Sequence, residues 1–460
     1  MLMNKQLAGS KENPTSNIIK KYLLMEPFKV LHNPLTQLRT FNRSARLFLL
    51  AIILEGIVIS AWQLFFNFYI LERGFERDFL GMVNAMPAVA ALVLGIPMGL
   101  LSDKIGRKRA MVLGVAVFIV AMALEVTVYN PSLILIAAFI AGAAQMLYFL
   151  SQAPFMMKVS DEHNRTLLFS LSFGLVTLSG AFGSVLAGQL PARFATWLDV
   201  PARSATAYQA VLLGSVGLGL FTLVPLLLIK ELPVKQDVSV INRPSSSVWQ
   251  VLKKPLTLQL SLPNLLIGFG AAILIPYINV FFLERHAVSD QSLGILFSLS
   301  SLLVGVGSMI GPRMAGALGG KIRAVVFTQG LSLLFLLIMG FTPIFWLAAT
   351  GFLMRGVLMN MAVPLYSAFS MEQVHEREQG TVNSIKELAW QVGWAAGPYI
   401  SGLVQISYGF TPLFITTAVL YGAAILFTWI FFDKREHLRP AFEEFDQADI
   451  SPDLGRISEN

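Results

Sequence analysis

Two charges stand inside long apolar runs, Glu55 in LAIILEGIVIS and Arg355 in GFLMRGVLMN. An ionised side chain at the centre of a membrane costs roughly 3 kcal/mol or more unless it is paired or hydrated. Glu55 lies nine residues beyond Arg46, about 13 Å along a helix that rises ~1.5 Å per residue. Arg355 lies twelve residues beyond Pro343, about 18 Å by the same rise. A carboxylate at that depth can hold a proton in one state and release it in another when its surroundings change. Arginine keeps its proton, so it can only steer an anion or hold a nearby acid ionised. Glu55 is therefore the proton-coupling candidate and Arg355 the substrate or counter-ion candidate. A static Glu55–Arg355 pair, or a protonated Glu55 bonded to a neighbour, is the structural alternative. Lys386 and Glu387, in NSIKELAWQVGW, lie about 10 Å inside another run and are gate candidates. Lysine can also snorkel from that depth to the interface.

Uncharged groups align with these at helical spacing. Trp62 and Phe66 share a stripe with Glu55 and Ile59. Gln145, Tyr148 and Gln152 form a second stripe, and Asn264, Gly268, Ile275 and Asn279 a third. Met359, Ala362 and Tyr366 follow Arg355. Helix–helix hydrogen bonds explain any one of them; together they suggest a polar path lined by aromatic and methionine surface. There is no cysteine, and the five histidines fall in tails or loops. That leaves no thiolate, haem or zinc chemistry in the apolar region, and no enzyme or cofactor is expected. No Gly-x-x-x-x-Gly-Lys-Ser/Thr loop is present to take ATP.

The elements that hold these residues follow from composition. Of 460 residues, 55% are apolar and 13% charged, with mean hydropathy +0.66. A soluble chain carries charge on about 25% of its residues. The apolar residues fall in runs near 20 long, enough to cross about 30 Å of hydrocarbon as a helix. A barrel would instead alternate over about 10 residues. The expected architecture is an all-α membrane protein with twelve spans, at 46–70, 79–101, 108–128, 132–156, 166–190, 207–229, 257–283, 292–312, 323–341, 344–370, 380–405 and 412–432. Residues 1–45 and 433–460 are tails. Residues 230–256, polar and rich in Pro and Ser, link two six-helix halves, 46–229 and 257–432. Of the 34 Lys and Arg, 27 fall on the side of the tails and 5 on the other, which puts both termini in the cytoplasm. The net charge of +7 is thereby explained without nucleic acid. The first 45 residues are too polar for a cleavable signal, so the first span serves as an uncleaved anchor. Ile18 to Leu31 mixes apolar and basic residues; it reads equally as a surface-lying segment or a disordered tail.

The halves repeat. NFYILER (Asn67 to Arg73) returns as NVFFLER (Asn279 to Arg285) at offset 212. Gly81/Gly294 and Gly106/Gly319 match at offset 213, and Gly142/Gly356, Met157/Met371, Glu162/Glu376, Gly183/Gly397 and Gly188/Gly402 at 214. Such a register implies two homologous halves about an axis along the membrane normal. The Leu-Glu-Arg triplets read as interfacial anchors. The intramembrane charges break the repeat: Glu55 faces Ile267 and Arg355 faces Ala141.

The loop after the second span reads GLLSDKIGRKR. Gly99 allows close helix approach, Gly106 a tight turn, and Asp103 a contact with the positive end of a helix. Arg107 can pair with Asp161 or Glu162 across the next loop; alternatively the basic residues only set topology. The pattern resembles the signature loop of the major facilitator superfamily, Gly-x-x-x-Asp-(Arg/Lys)-x-Gly-Arg-(Arg/Lys)-(Arg/Lys). It matches at Gly99, Asp103, Lys104, Gly106, Arg107, Lys108 and Arg109. The resemblance implies a 6+6 fold over about residues 43–435, with spans 1, 4, 7 and 10 around a central cavity. It also implies that Asp103 sits against span 11 as a gate and that the protein is a secondary transporter working by alternating access. The second-half loop has Gly316 in place of Asp103, so gating is expected to be asymmetric. Gly393, Gly397, Pro398 and Gly402 in span 11, and Gly183 and Gly188 in span 5, are packing and bending candidates. The Gly-Pro that drug antiporters of the family carry in span 5 is absent.

The expected function is export of a drug or metabolite, coupled to protons, by a monomer in the cell membrane. Uptake of a small solute, an anion in view of Arg355, is the alternative. A sensor or scaffold without flux is the alternative of another class.

Overall fold

The computed structural model describes residues 41–161, 164–230 and 248–448. The Ile18 to Leu31 segment, Glu162, His163 and most of the linker lie outside them. Among the described residues there are twelve long helices and no strand. The first six are α1 (Arg43–Glu72), α2 (Arg77–Ile105), α3 (Arg107–Thr127), α4 (Pro131–Val159), α5 (Arg165–Leu198) and α6 (Ala205–Leu228). A five-residue helix, Val248–Leu252, precedes the second six. These are α7 (Pro255–His286), α8 (Asp290–Ala317), α9 (Lys321–Phe341), α10 (Phe345–Glu372), α11 (Glu376–Tyr408) and α12 (Thr411–Ala448).

Local chemistry sets the ends. Asn42 caps α1 by accepting from the Ala45 N–H, and Asn130 caps α4 beside Pro131 at its first position. Gly106 joins α2 to α3 at φ +91°, and Gly319 holds φ +72° before α9. Both are backbone positions that suit glycine. Three helices differ from the expectation, α5 by running on to Leu198. α7 is interrupted by a 3-10 turn at Ile275–Tyr277, because Pro276 lacks the N–H that would continue the ladder. α12 continues well past 432. Eleven of the twelve helices are long and apolar enough to span a membrane. The exception is α11, which carries Lys386, Glu387 and several amides; its Lys386, Ser401 and Gln405 are buried against protein.

The packing repeats at six-helix spacing. α1 packs on α5 and α6 as α7 packs on α11 and α12, and α2 packs on α4 as α8 packs on α10. The halves meet through two related crossings, α2 with α11 and α5 with α8. Two of the repeated glycine pairs, Gly81/Gly294 and Gly188/Gly402, sit at these crossings. A Cβ on Gly81 would fall 2.8 Å from Tyr399 Cα, and one on Gly402 2.8 Å from the Arg77 carbonyl carbon. Opposite, a Cβ on Gly188 would fall 2.9 Å from Asp290 O, and one on Gly294 3.0 Å from Gly188 Cα. Only glycine lets the backbones approach this closely.

The end where α1 starts and α12 finishes is the near end; the other is the far end. At the far end a single core runs through both halves, from Phe65, Tyr69 and Leu80 to Tyr277, Phe281 and Phe414. At the near end each half has its own core. One contains Phe48, Met111 and Phe155; the other contains Leu260, Ile322 and Phe369. Tyr129, Trp197, Trp346 and Tyr408 stand exposed around the far end, as aromatic residues do at a membrane interface.

Gly402→Val is expected to overpack the α2–α11 crossing at a cost of about 1–3 kcal/mol. Thermal unfolding of the purified protein should show a lowered Tm. Gly330→Ala, where a Cβ meets nothing within 4 Å, should leave it unchanged. An unchanged Tm for Gly402→Val would mean that the crossing tolerates a side chain.

Candidate functional site

The far-end seal starts from the break in α7. The Val280 N–H, which would otherwise close the helical turn onto Pro276 O, donates to Asn279 Oδ1 at 2.9 Å. The freed Pro276 carbonyl accepts from Asn67 Nδ2 of the other half, which also donates to Asn279 Oδ1 at 3.0 Å. Asn279 Nδ2 donates in turn to Leu64 O at 2.9 Å, and Asn84 Nδ2 to Asn67 Oδ1 at 3.2 Å. The two repeated asparagines therefore bond to each other across the halves, both buried. Outside this network Arg77 pairs with Glu284 and reaches Gln405 Oε1 at 3.4 Å. Arg203 donates to Val288 O at 2.8 Å. Glu284 of the second Leu-Glu-Arg thus ties the halves together, whereas the sequence suggested only an interfacial anchor. Arg73 of the first donates to Val128 O and lies over the Tyr129 ring.

Beneath the seal lies a cavity of about 360 Å³. Trp62 and Phe66 line it, stacked at 4.6 Å, with Gln145, Asn279, Asn84, Glu125, Phe297 and Trp394. A compartment of about 420 Å³ adjoins it through Asn84, Gln145 and Trp394, and holds Glu55 and Tyr148. Glu55 accepts from Tyr148 Oη at 2.9 Å. Gln152, one turn beyond Tyr148, is half-buried. A third compartment of about 410 Å³ belongs to the second half. It is lined by Asn264, Arg355, Met359, Tyr366, Lys386, Glu387, Trp390 and Trp394. Arg355 is 7% exposed and donates to Tyr421 Oη at 2.5 Å. Lys386 is 3% exposed, with its ammonium 5.0 Å from the Tyr366 ring centroid. Glu55 and Arg355 thus belong to different compartments with different tyrosine partners. The direct pair weighed from sequence is not formed.

In the signature loop Arg107 pairs with Asp103 and donates to Ser102 Oγ at 2.7 Å; Ser102 Oγ lies 2.7 Å from Ser151 Oγ on α4. Asp161 instead bonds to Asn164. Asp103 is exposed and meets its own loop, not α11, because the near-end cores are separate. Gly99 has room for a side chain, with Leu150 Cδ1 3.9 Å from a built Cβ, so its expected close approach is absent here. Lys104 and Arg109 are exposed and Lys108 half-buried. The acid missing from the second-half loop is supplied by α12: Glu436 accepts from the Lys321 and Ile322 N–H groups at 2.5 and 2.9 Å. This puts a carboxylate on the positive end of α9. Gly183 lies against Ser60 and Ile57, and Gly393 and Gly397 against Phe269 and Ala272. The Pro398 carbonyl accepts from Tyr277 Oη at 2.7 Å.

Sequence reasoning missed Glu125, Asn84, Pro276, Trp390 and Trp394. Glu125 was findable: it is a carboxylate in the predicted span 108–128. Its closeness to the helix end hid it, since two residues later the chain leaves α3.

The Major Facilitator Superfamily family model matches residues 47–385 and 260–458. A multidrug resistance protein MdtG of Dickeya zeae is 23% identical over 390 residues, 82% of this chain and 91% of that protein. An MdtG of Proteus mirabilis is 25% identical over 193 residues; that match covers 41% of this chain and about half, 48%, of the relative's length. Among solved structures, a bacterial homolog of the human lysosomal transporter Spinster, in an inward-facing and occupied conformation, superposes with TM-score 0.69. It is 14% identical, over 86% of this chain and 97% of that one, and shares the fold.

Asn279→Ala should remove the bonds to Asn67 and Leu64 that cross the halves, leave the Val280 N–H without its acceptor, and loosen the far end. Losing about 1.4 kcal/mol there shifts a two-state balance roughly tenfold. With spin labels on Trp197→Cys and Trp346→Cys in this cysteine-free chain, the far-end distance distribution is expected to gain a longer component. An unchanged distribution would remove the asparagine pair from the seal.

Proposed function

The chain belongs to the Major Facilitator Superfamily, and from that premise we propose that it exports a small organic solute by proton-coupled alternating access. That it is a multi-pass membrane transporter and not an enzyme follows from the family and the fold. The observation that carries the rest is the contrast between the two ends: one shared core and a hydrogen-bonded seal at the far end, two separate cores at the near end. Alternating access asks this of one of its states. The halves 46–229 and 257–432 would rock as bodies joined by 230–256. The Lys and Arg distribution supports a cytoplasmic near end, with both termini inside. The likeness to multidrug resistance proteins supports export and a cell-membrane location.

In this reading Glu55 carries the coupling proton. It faces the central compartment, is bonded to Tyr148, and has no cationic partner among the described residues. Arg355 meets the solute. Asp103 and Arg107, with Lys386 and Glu387, would control the near-end mouth when the halves close. The protein would act as a monomer.

Glu55→Gln in proteoliposomes is expected to abolish the dependence of flux on a pH gradient while leaving substrate counterflow. Proton-driven flux equal to that of the parent would overturn Glu55 as the coupling site. Orientation has its own test. A cysteine placed at exposed Lys104 should react with a membrane-impermeant maleimide only after the cells are opened, and one at exposed Trp346 in intact cells. The reverse pattern would invert the assignment of ends.

A further inference from the structure

We propose that the central cavity selects a zwitterion with separated charges, its cationic group against Glu125 and its anionic group against Arg355 and Lys386. This rests on the reading that solute occupies this cavity.

The charges lining the cavity are sorted by half. The first-half compartments present Glu55 and Glu125, with no lysine or arginine among their lining residues. Glu125 is 4% exposed and has neither a hydrogen bond nor an ion pair among the described residues. Glu55 is engaged by Tyr148, so Glu125 is the acid with its acceptor capacity unspent. The second-half compartment presents Arg355 and Lys386, each more than nine-tenths buried, and no carboxylate pairs with either among the described residues. Arg355 Nε and Trp394 Nε1 are buried donors without an acceptor, and Gln329 Oε1 is a buried acceptor without a donor. Glu387 lines the same compartment, but it is exposed and accepts from Gln391 Nε2 at 3.2 Å. It forms no ion pair with either buried cation, although its charge acts on Lys386 from the next position.

An unpaired buried charge is costly, and removing its partner from such a site destabilises strongly. Two buried acceptor-poor cations on one wall and a buried donor-poor acid on the other are accounted for if the partners arrive with the solute. A solute with one charge would satisfy one wall and leave the other exposed to the same penalty. A zwitterion satisfies both. The compartments meet at Ile275 and Trp394, and Trp390, Met359 and Phe297 stand close by. That surface suits an apolar body between the charged ends. The alternative, in which the walls neutralise each other when the halves close, needs no charge on the solute.

The test is a charge-matched series on the purified, full-length parent protein, read by thermal shift and tryptophan fluorescence. The probes are 6-aminohexanoate, 8-aminooctanoate and 11-aminoundecanoate, with octylamine and octanoate as single-charge controls. At least one ω-aminoalkanoate is expected to bind about tenfold or more tighter than both controls. Glu125→Gln should reduce that probe to the level of octanoate. The double variant Arg355→Gln with Lys386→Gln should reduce it to the level of octylamine, and Arg355→Lys should retain most of the preference. Equal or absent binding across the series overturns the proposal, as does a preference that survives Glu125→Gln. Either result leaves proton-coupled transport standing, since that depends on flux through Glu55→Gln and not on this series.

Discussion

The hydrogen bond between Asn67 and Asn279 is the contact on which the rest of the structure turns. It lies where the two halves meet, and its members are the same residue in two copies of one repeat. It forms where a proline breaks α7 and protein groups take up the lost helical bonds. The broken turn frees the Pro276 carbonyl, the Asn279 side chain takes up the Val280 N–H, and Asn67 from the other half satisfies what remains. A defect in one helix thus becomes a joint between two bundles. The glycine crossings of α2 with α11 and of α5 with α8 bring the backbones near enough for that joint to form.

Sealing one end by hydrogen bonds and close backbone contact has a consequence for the other. The near ends are held apart while the far ends touch, and the near-end cores stay separate. Among the described residues, Asp103 then pairs with Arg107, and Arg107 with Asp103 and Ser102. In the proposed reading the signature loop is in its released arrangement, and the seal and the loop are two ends of one lever. Duplication supplied the lever's symmetric parts. The second-half loop, lacking the acid, borrows Glu436 from α12 to hold the start of α9.

What the repeat did not copy is the charge inside the cavity. Glu55 and Glu125 belong to the first half, Arg355 and Lys386 to the second, and Trp394 lines every compartment between them. A symmetric scaffold carries an asymmetric site. Packing constrains both halves alike, because each must build the same helix crossings, whereas a ligand has different ends and needs different walls.

Much of this was legible in the chain. Twelve helices, their order, the repeat and the depth of Glu55 and Arg355 follow from apolar run length and from the rise of a helix, which are local properties. The glycines at offsets 213 and 214 announced close crossings, though not which helices cross. Three things needed the tertiary structure. The asparagines read as register marks, and Asn279 also as cavity lining, but not as partners, because a bond across 212 residues has no local signature. Glu125, two residues before the end of α3, was passed over in the sequence; the cavity is what reaches it. A direct Glu55–Arg355 pair stayed open as an alternative, because depth along two helices says nothing of the distance between them. Sequence by itself determined what must lie in the membrane and at what level. Only folding decided which groups meet there, because lateral contact is set by helix crossings that join residues hundreds of positions apart.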